Sequence, residues 1–187
     1  MNEIILVDTD GKQTGSMDKM EAHRKGRLHR AFSIFIINSQ GNLLLQQRAD
    51  NKYHSGGLWS NTCCSHPAPG ESLIQAAHRR LNEELGFDCG LREVFAFTYK
   101  SSVGAGLIEH EYDHILVGLY DGSVHPNPEE VQAWKWISPY ALLKDISAVP
   151  HLYTDWLKLI FQFNLTELTK GIECLITPPT SDYLSTK

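Results

Sequence analysis

Cationic excess, long apolar runs and paired cysteine motifs are all missing from this chain, and each absence narrows its chemistry. Lys and Arg total 17 against 22 Asp and Glu, for a formal charge of −5. That balance argues against broad binding of nucleic acid or of an anionic membrane, though it leaves room for a local basic pocket. Apolar runs such as Ile4–Val7 are far shorter than the ~20 residues of a membrane span, and too short for a signal-peptide core. The four cysteines, Cys63, Cys64, Cys89 and Cys174, form no CxxC pair and follow no secretory signal. Free thiols in a reducing cytoplasm are therefore expected rather than a disulfide framework. Internal repeats, low-complexity tracts and a second-domain linker are absent too. The chain has 187 residues, 42% of them hydrophobic. One domain spanning 1–187, with a core that needs no staples, is the expectation.

What is present concentrates between Trp59 and Phe87, WSNTCCSHPAPGESLIQAAHRRLNEELGF. Leu73, Ala76, Ala77, Leu81 and Leu85 keep helical spacing, Ser72 can cap the segment and Gly86 can end it, which predicts a helix over Ser72–Leu85. Its other face carries Arg79, Arg80, Glu83 and Glu84. Pairs four apart are neighbours on a helix, and as solvated ion pairs they would carry little energy.

Along the rest of the chain, Glu3–Asp8 reads as a strand and Thr9–Gly15 as a turn, and Met17–Arg30 is a charged stretch bearing His23 and His29. Ala31–Asn38 and Asn42–Gln47 form a hairpin. The loop RADNKYHSGGLW contributes Arg48 and Lys52, and Leu58–His66 is extended. Alternation along that strand sets Cys64 and His66 on one face and turns Cys63 toward the core as a small hydrophobe. Leu91–Lys100 and Leu107–Tyr120 are further strands, joined by a small-residue loop, Ser101–Gly106, that could move over a site. Glu109 and Glu111 share one face of the second, with His110 on the other. Like charges this close repel, and a shared metal or proton would reconcile them, while an exposed polar face explains the spacing equally well. Asp121–Glu130 reads as a surface loop, Val131–Ile137 as a strand, Ser138–Asp145 and His151–Asn164 as helices, Thr166–Cys174 as a helical extension and 178–187 as a frayed tail.

Glu71, Arg79, Leu81, Glu83, Glu84, Gly86 and Phe87 sit at the spacing of the Nudix box, with two departures: Ser65 at the first glycine, and Arg80 where a glutamate follows the arginine. A guanidinium there cancels carboxylate charge and supplies a phosphate donor. The ordered set HRAFS, LLLQQRA, WSNTCCSHP, GES…RRLNEELG, Tyr99 and IEHEYDHIL resembles the type I isopentenyl-diphosphate isomerase family over roughly residues 3–160, and both departures fit that pattern. The resemblance implies an α+β fold of Nudix type, an α/β/α sandwich with a mixed sheet and a C-terminal helical segment. It implies interconversion of isopentenyl and dimethylallyl diphosphate through a tertiary carbocation.

It also implies roles. Cys64 would work on one face of the substrate and Glu111, assisted by Tyr99, on the other, with the Trp156 ring toward the cation. His23, His29, His66, Glu109 and Glu111 would hold a metal, a donor set suited to Mn²⁺, Zn²⁺ or Fe²⁺. Glu84 would share a Mg²⁺ with the diphosphate. Lys19, Arg48, Lys52 and Arg80 would clamp the phosphates. The implied partner is the small-molecule diphosphate, not nucleic acid or membrane, with a monomer or homodimer in the cytoplasm. Three rival readings remain open: a Nudix hydrolase, which Arg80 disfavours; a cysteine hydrolase using Cys64 and His66; and a non-catalytic binding protein.

Overall fold

A computed structural model describes residues 3–176; the tail expected over 178–187 lies outside them. The opening strand β1 (Glu3–Val7) pairs with β2 (Gln13–Asp18), so the turn expected over Thr9–Gly15 is shorter and its second half is strand. Helix α1 (Lys19–Lys25) follows directly, inside the charged stretch for which sequence offers no assignment. It has two apolar residues and hence no visible periodicity. Its ends are specified instead: the Asp18 side chain accepts from the Glu21 N–H, and Gly26 closes it in a left-handed conformation, φ 57°.

Strand β3 (His29–Ile37) is the centre of a mixed nine-stranded sheet, and it is buried over almost its whole length. A strand covered on both faces needs apolar side chains in both alternations, and HRAFSIFII supplies them. It pairs antiparallel with β1, with β4 (Leu43–Arg48) and with β6 (Cys63–Ser65). The extended segment expected over Leu58–His66 is two short strands, β5 (Trp59–Ser60) and β6, interrupted at Asn61 and Thr62. The interruption has a cause in hydrogen bonding. Thr62 Oγ1 accepts from the Ile36 N–H and donates to the Leu44 carbonyl, while the Asn61 amide donates to the Ile34 carbonyl.

Helix α2 (Leu73–Leu85) has the predicted caps, with Ser72 and Gln75 forming a reciprocal capping box. Its buried face, Ala76, Ala77, Leu81 and Leu85, packs on Phe32, Ile34, Ile36 and Leu116. The hairpin β7 (Leu91–Ser102) and β8 (Ile108–Leu119) returns β8 parallel to β3, with α2 lying in the crossover. Ser101 and Ser102 belong to β7, so the expected mobile loop is only a tight hairpin turn, and it does not line the cavity described below.

Strand β9 (Val131–Ile137) pairs with β4. Helix α3 (Pro139–Ala148) runs three residues past the expected end, and a 3₁₀ turn at Pro150–Leu152 replaces the start of the expected His151–Asn164 helix. Helices α4 (Asp155–Phe163) and α5 (Leu165–Ile176) complete the second helical layer. Leu157, Ile160 and Leu168 join Phe35, Ile37, Leu45 and Ile115 on the sheet face opposite α2. The architecture is thus a mixed sheet between helical layers, as the resemblance implied. None of the helices among the described residues is long and apolar enough to cross a membrane.

Candidate active site

Parallel pairing of β3 with β8 sets His29 beside Glu111, and antiparallel pairing of β7 with β8 sets Tyr99 beside the same glutamate. Alternation along β8 then aims Glu109, Glu111 and Asp113 at one side, all three buried. Helix α1 brings Lys19 and His23, one turn apart, and the end of β6 brings Cys64 and His66. Helix α2 contributes Arg80 and Glu84, and α4 contributes Trp156. These elements enclose one cavity lined by Lys19, Arg48, Lys52, Tyr53, His54, Cys64, Ser65, His66, Arg80, Glu84, Tyr99, Glu109, Glu111 and Trp156. Of the residues to which the resemblance gives a role, only His23 and His29 do not line it. Both are fully buried, and their rings reach the same cluster.

One ligand-type atom from each of His23, His29, His66, Glu109 and Glu111 lies within 4.8 Å of the others. The second nitrogen of two of these rings shows what the cluster lacks. His23 Nδ1 is 2.6 Å from the Lys19 carbonyl oxygen and His29 Nδ1 is 2.8 Å from that of Arg27. Carbonyls only accept, so each Nδ1 carries a proton, and in a neutral ring Nε2 is then left with a bare lone pair. Those lone pairs converge on further acceptors. His23 Nε2 is 3.1 Å from Glu109 Oε2, and both atoms are buried without a hydrogen-bond partner. His29 Nε2 is 3.2 Å from His66 Nε2 and 3.6 Å from Glu111 Oε1.

Acceptors facing acceptors in a buried cluster call for a cation, and backbone-anchored imidazoles with carboxylates are a fitting donor set for a divalent one. Burial pulls the His23 imidazole down, but Glu109 outweighs it and holds the ring above its usual value, a pull toward positive charge at Nε2 that a bound cation would answer in place of a proton. His66 is pulled down to about 4 by desolvation and stays neutral, as a ligand must. Burial and Glu109 both push Glu111 up, yet the His29 and His66 imidazoles beside it keep it below the usual carboxylate range.

Cys64 sits among hydrogen-bonding groups that hold its sulfur. Sγ donates to Asn61 Oδ1 at 3.0 Å and lies 3.5 Å from Ser33 Oγ. Burial pushes the thiol up to about 12, so it keeps its proton at neutral pH. This argues against the cysteine-hydrolase reading, because the attacking species there is a thiolate activated by a neighbouring base. His66 Nε2 is engaged by Glu111 at 2.9 Å, not by the thiol. Trp156 Nε1 donates to Ser60 Oγ at 2.9 Å and to Asn61 Oδ1 at 3.2 Å, so one asparagine anchors both the thiol and the indole. Tyr99 donates to Glu111 Oε2 at 2.7 Å.

At the cationic end, the sequence reading of exposed ion pairs on α2 holds for Arg79 and Glu83, 3.3 Å apart, and needs correction for Arg80 and Glu84. Arg79 is tied mainly to Glu71, at 2.7 Å. Arg80 reaches inward to Glu84, which is only 3% exposed, at 2.5 Å, and to Glu130 at 3.2 Å. Gln46 donates to the other Glu84 oxygen at 3.0 Å. Each of those oxygens still has a free lone pair, so Glu84 can serve as the single protein ligand of an ion completed by phosphate and water. Lys52 pairs with Glu130, and desolvation lowers its ammonium to about 8. Arg48 lies 5.3 Å from the Trp156 ring centroid and donates to the His54 and Ser55 carbonyls, which fixes the loop bearing Lys52.

Sequence reasoning passed over His54, Tyr53, Asp113, Asn61 and Glu130. Asp113 was within reach, since it extends the two-residue period of Glu109 and Glu111; it is fully buried, accepts from Ser33 Oγ at 2.8 Å, and burial holds its carboxyl well above the usual range. His54 and Glu130 stand in loops, where no periodicity reports orientation.

Comparisons with known proteins agree with this geometry. The NUDIX domain model matches residues 27–157. A relative from Burkholderia multivorans, named isopentenyl-diphosphate Delta-isomerase, is 56% identical over 82% of this chain and 87% of its own. One of the same name from Pectobacterium atrosepticum is 51% identical over 86% of this chain and 90% of its own. Among solved structures, a Deinococcus radiodurans protein superposes with a TM-score of 0.71 at 22% identity, covering 86% of this chain and 98% of its own. At that identity the likeness speaks for the fold alone.

Proposed function

Because this chain belongs to the isopentenyl-diphosphate Delta-isomerase family and carries its NUDIX domain, we propose that the cavity described above is where it moves the double bond between isopentenyl and dimethylallyl diphosphate. It is an isomerase of isoprenoid precursor biosynthesis. The observation that carries the site assignment is a single cavity with a thiol acid, a carboxylate base, an aromatic wall and a cluster of cations.

The reaction adds a proton to one alkene carbon and removes one from a carbon two bonds away, so net proton count is unchanged. Such a site needs one group holding a proton and one lacking it, on different faces of a flat five-carbon skeleton. Cys64, with its thiol raised to about 12, is the group that holds one, and Glu111, kept below the usual carboxylate range, is the group that lacks one. Their roles exchange when the reaction runs backward. Tyr99 steadies Glu111 through the hydroxyl at Oε2 and leaves Oε1 toward the histidines. Donating its proton leaves Cys64 as a thiolate beside the tertiary cation, so transfer of the second proton to Glu111 must outrun capture by sulfur. The Trp156 ring offers the cation a face worth ~2 kcal/mol when desolvated.

His23, His29, His66, Glu109 and Glu111 would hold a transition-metal ion, Mn²⁺, Zn²⁺ or Fe²⁺, and Glu84 a Mg²⁺ shared with the diphosphate. When bound, these ions would lower the proton affinity of the carboxylates and neutralise phosphate charge. Lys19, Arg48, Lys52 and Arg80 receive the diphosphate, Arg80 by a planar fork suited to paired phosphate oxygens.

The test is incubation of the purified chain with isopentenyl diphosphate and Mg²⁺, following both dimethylallyl diphosphate and free phosphate. Isomer without phosphate release is expected. A strong chelator should abolish it, and Mg²⁺ alone should restore it only in part. Phosphate release instead of isomer would overturn the reading in favour of a hydrolase, and full recovery with Mg²⁺ in chain freed of every transition metal would remove the second ion.

A further inference from the structure

Glu109 meets imidazoles through both of its oxygens, and the two sides differ in kind. Oε2 faces the cluster, 3.1 Å from His23 Nε2 and 3.9 Å from His29 Nε2. Oε1 faces away from it, 2.7 Å from His54 Nε2, a buried nitrogen that makes no hydrogen bond elsewhere. His54 is not among the five residues whose ligand atoms converge. Its ring lies against Tyr53 and Trp156, with centroids 4.3 and 6.0 Å away, and stacks on His23 at 6.1 Å.

The second ring nitrogen decides what each histidine offers. His23 and His29 give their Nδ1 protons to backbone carbonyls and present lone pairs. His54 Nδ1 lies 3.1 Å from Ser55 Oγ, a hydroxyl able to donate. With Nδ1 accepting, the single proton of the neutral ring sits on Nε2, facing a carboxylate that can only accept. The loop that carries the ring is tied at this point, because Arg48 donates to the carbonyls of both His54 and Ser55, each at 3.2 Å.

We propose that His54 is a positioning residue for the metal cluster, its Nε2–H holding Oε1 of Glu109 so that Oε2 stays turned toward the His23 and His29 lone pairs. The inference rests on reading the five-residue cluster as a divalent-metal site. Hydrogen bonds to the outer atom of a ligand set its orientation, and losing one costs roughly 10–100-fold in metal affinity or activity. A histidine present only to fill space would instead be replaceable by phenylalanine.

The experiment uses the full chain, stripped of metal, as native protein, His54→Gln and His54→Phe. Gln keeps an N–H donor near the Nε2 position, and Phe keeps the ring volume without one. Zn²⁺ affinity is measured by competition with a chromophoric chelator, Co²⁺ absorption reports the ligand set, and thermal melting reports folding. His54→Phe should bind Zn²⁺ roughly 10–100-fold more weakly, His54→Gln should stay close to native, and the Co²⁺ spectrum should keep its form in both. Equal affinity in all three overturns the inference while leaving the metal site standing. His54→Gln as weak as His54→Phe overturns it too, and a changed Co²⁺ spectrum would then make His54 a direct ligand. If the native chain binds no metal, the cluster reading fails and the inference with it. Should His54→Phe not fold, His54→Ala takes its place in the same comparison.

Discussion

Replacing Arg80 by alanine separates diphosphate recognition from helix stability. An exposed i,i+4 pair contributes only about 0.3–0.5 kcal/mol, so the sequence alone predicts almost no effect on melting. The structure changes the magnitude. Glu84 is 3% exposed, and Arg80 reaches it at 2.5 Å. Stripping one partner from a fully buried pair costs about 3–5 kcal/mol. Gln46 remains on the other Glu84 oxygen, and the Arg80 side chain is 19% exposed. A loss of about 1.5–3 kcal/mol is therefore expected, the range for a hydrogen bond to a charged group. At about 2–4 °C per kcal/mol for a chain of this size, the melting temperature falls by about 3–12 °C. Loss of a charge-assisted bond to phosphate of the same strength raises the KM for isopentenyl diphosphate by about 10–150-fold. Adding Glu84→Gln removes the orphaned charge and should return much of the stability without restoring KM. Differential scanning calorimetry and steady-state isomerase kinetics on the single and double variants decide the matter. A melting change under about 2 °C refutes the buried-pair argument, and an unchanged KM in the single variant refutes the phosphate role.

Two further outcomes follow from protonation. Burial raises the Cys64 thiol to about 12, so its alkylation by iodoacetamide, read by peptide mass spectrometry, should climb about tenfold per pH unit with no plateau below pH 10; a plateau near pH 9 would show a thiol much nearer solvent. Lys52, lowered by burial to about 8, loses its charge as pH rises through that value, and kcat/KM, which reports the free enzyme, should fall above it. Lys52→Arg keeps its charge throughout and should abolish that limb; an unchanged fall in the variant would assign the limb to another group.

Sequence by itself determined the parts whose signal is local. Helical spacing with Ser72 and Gly86 marked α2, two-residue alternation placed Glu109 and Glu111 on one face, and β3 is apolar in both alternations because both its faces are covered. Motif spacing also pointed to the residues that line the cavity, since a short motif carries its chemistry in order along the chain. Tertiary structure alone decided what depends on register and on loops. The parallel pairing of β3 with β8, which sets His29 beside Glu111, joins residues 82 apart in sequence. Periodicity reports which face a side chain takes but not which strand lies next to it. The same limit hid α1, too short and polar to show a period, and hid the inward reach of Arg80, which depends on Glu84 being covered by Gln46 on a neighbouring strand. It hid His54 as well, because a loop residue takes its direction from the turns and hydrogen bonds around it, and only the folded chain supplies those.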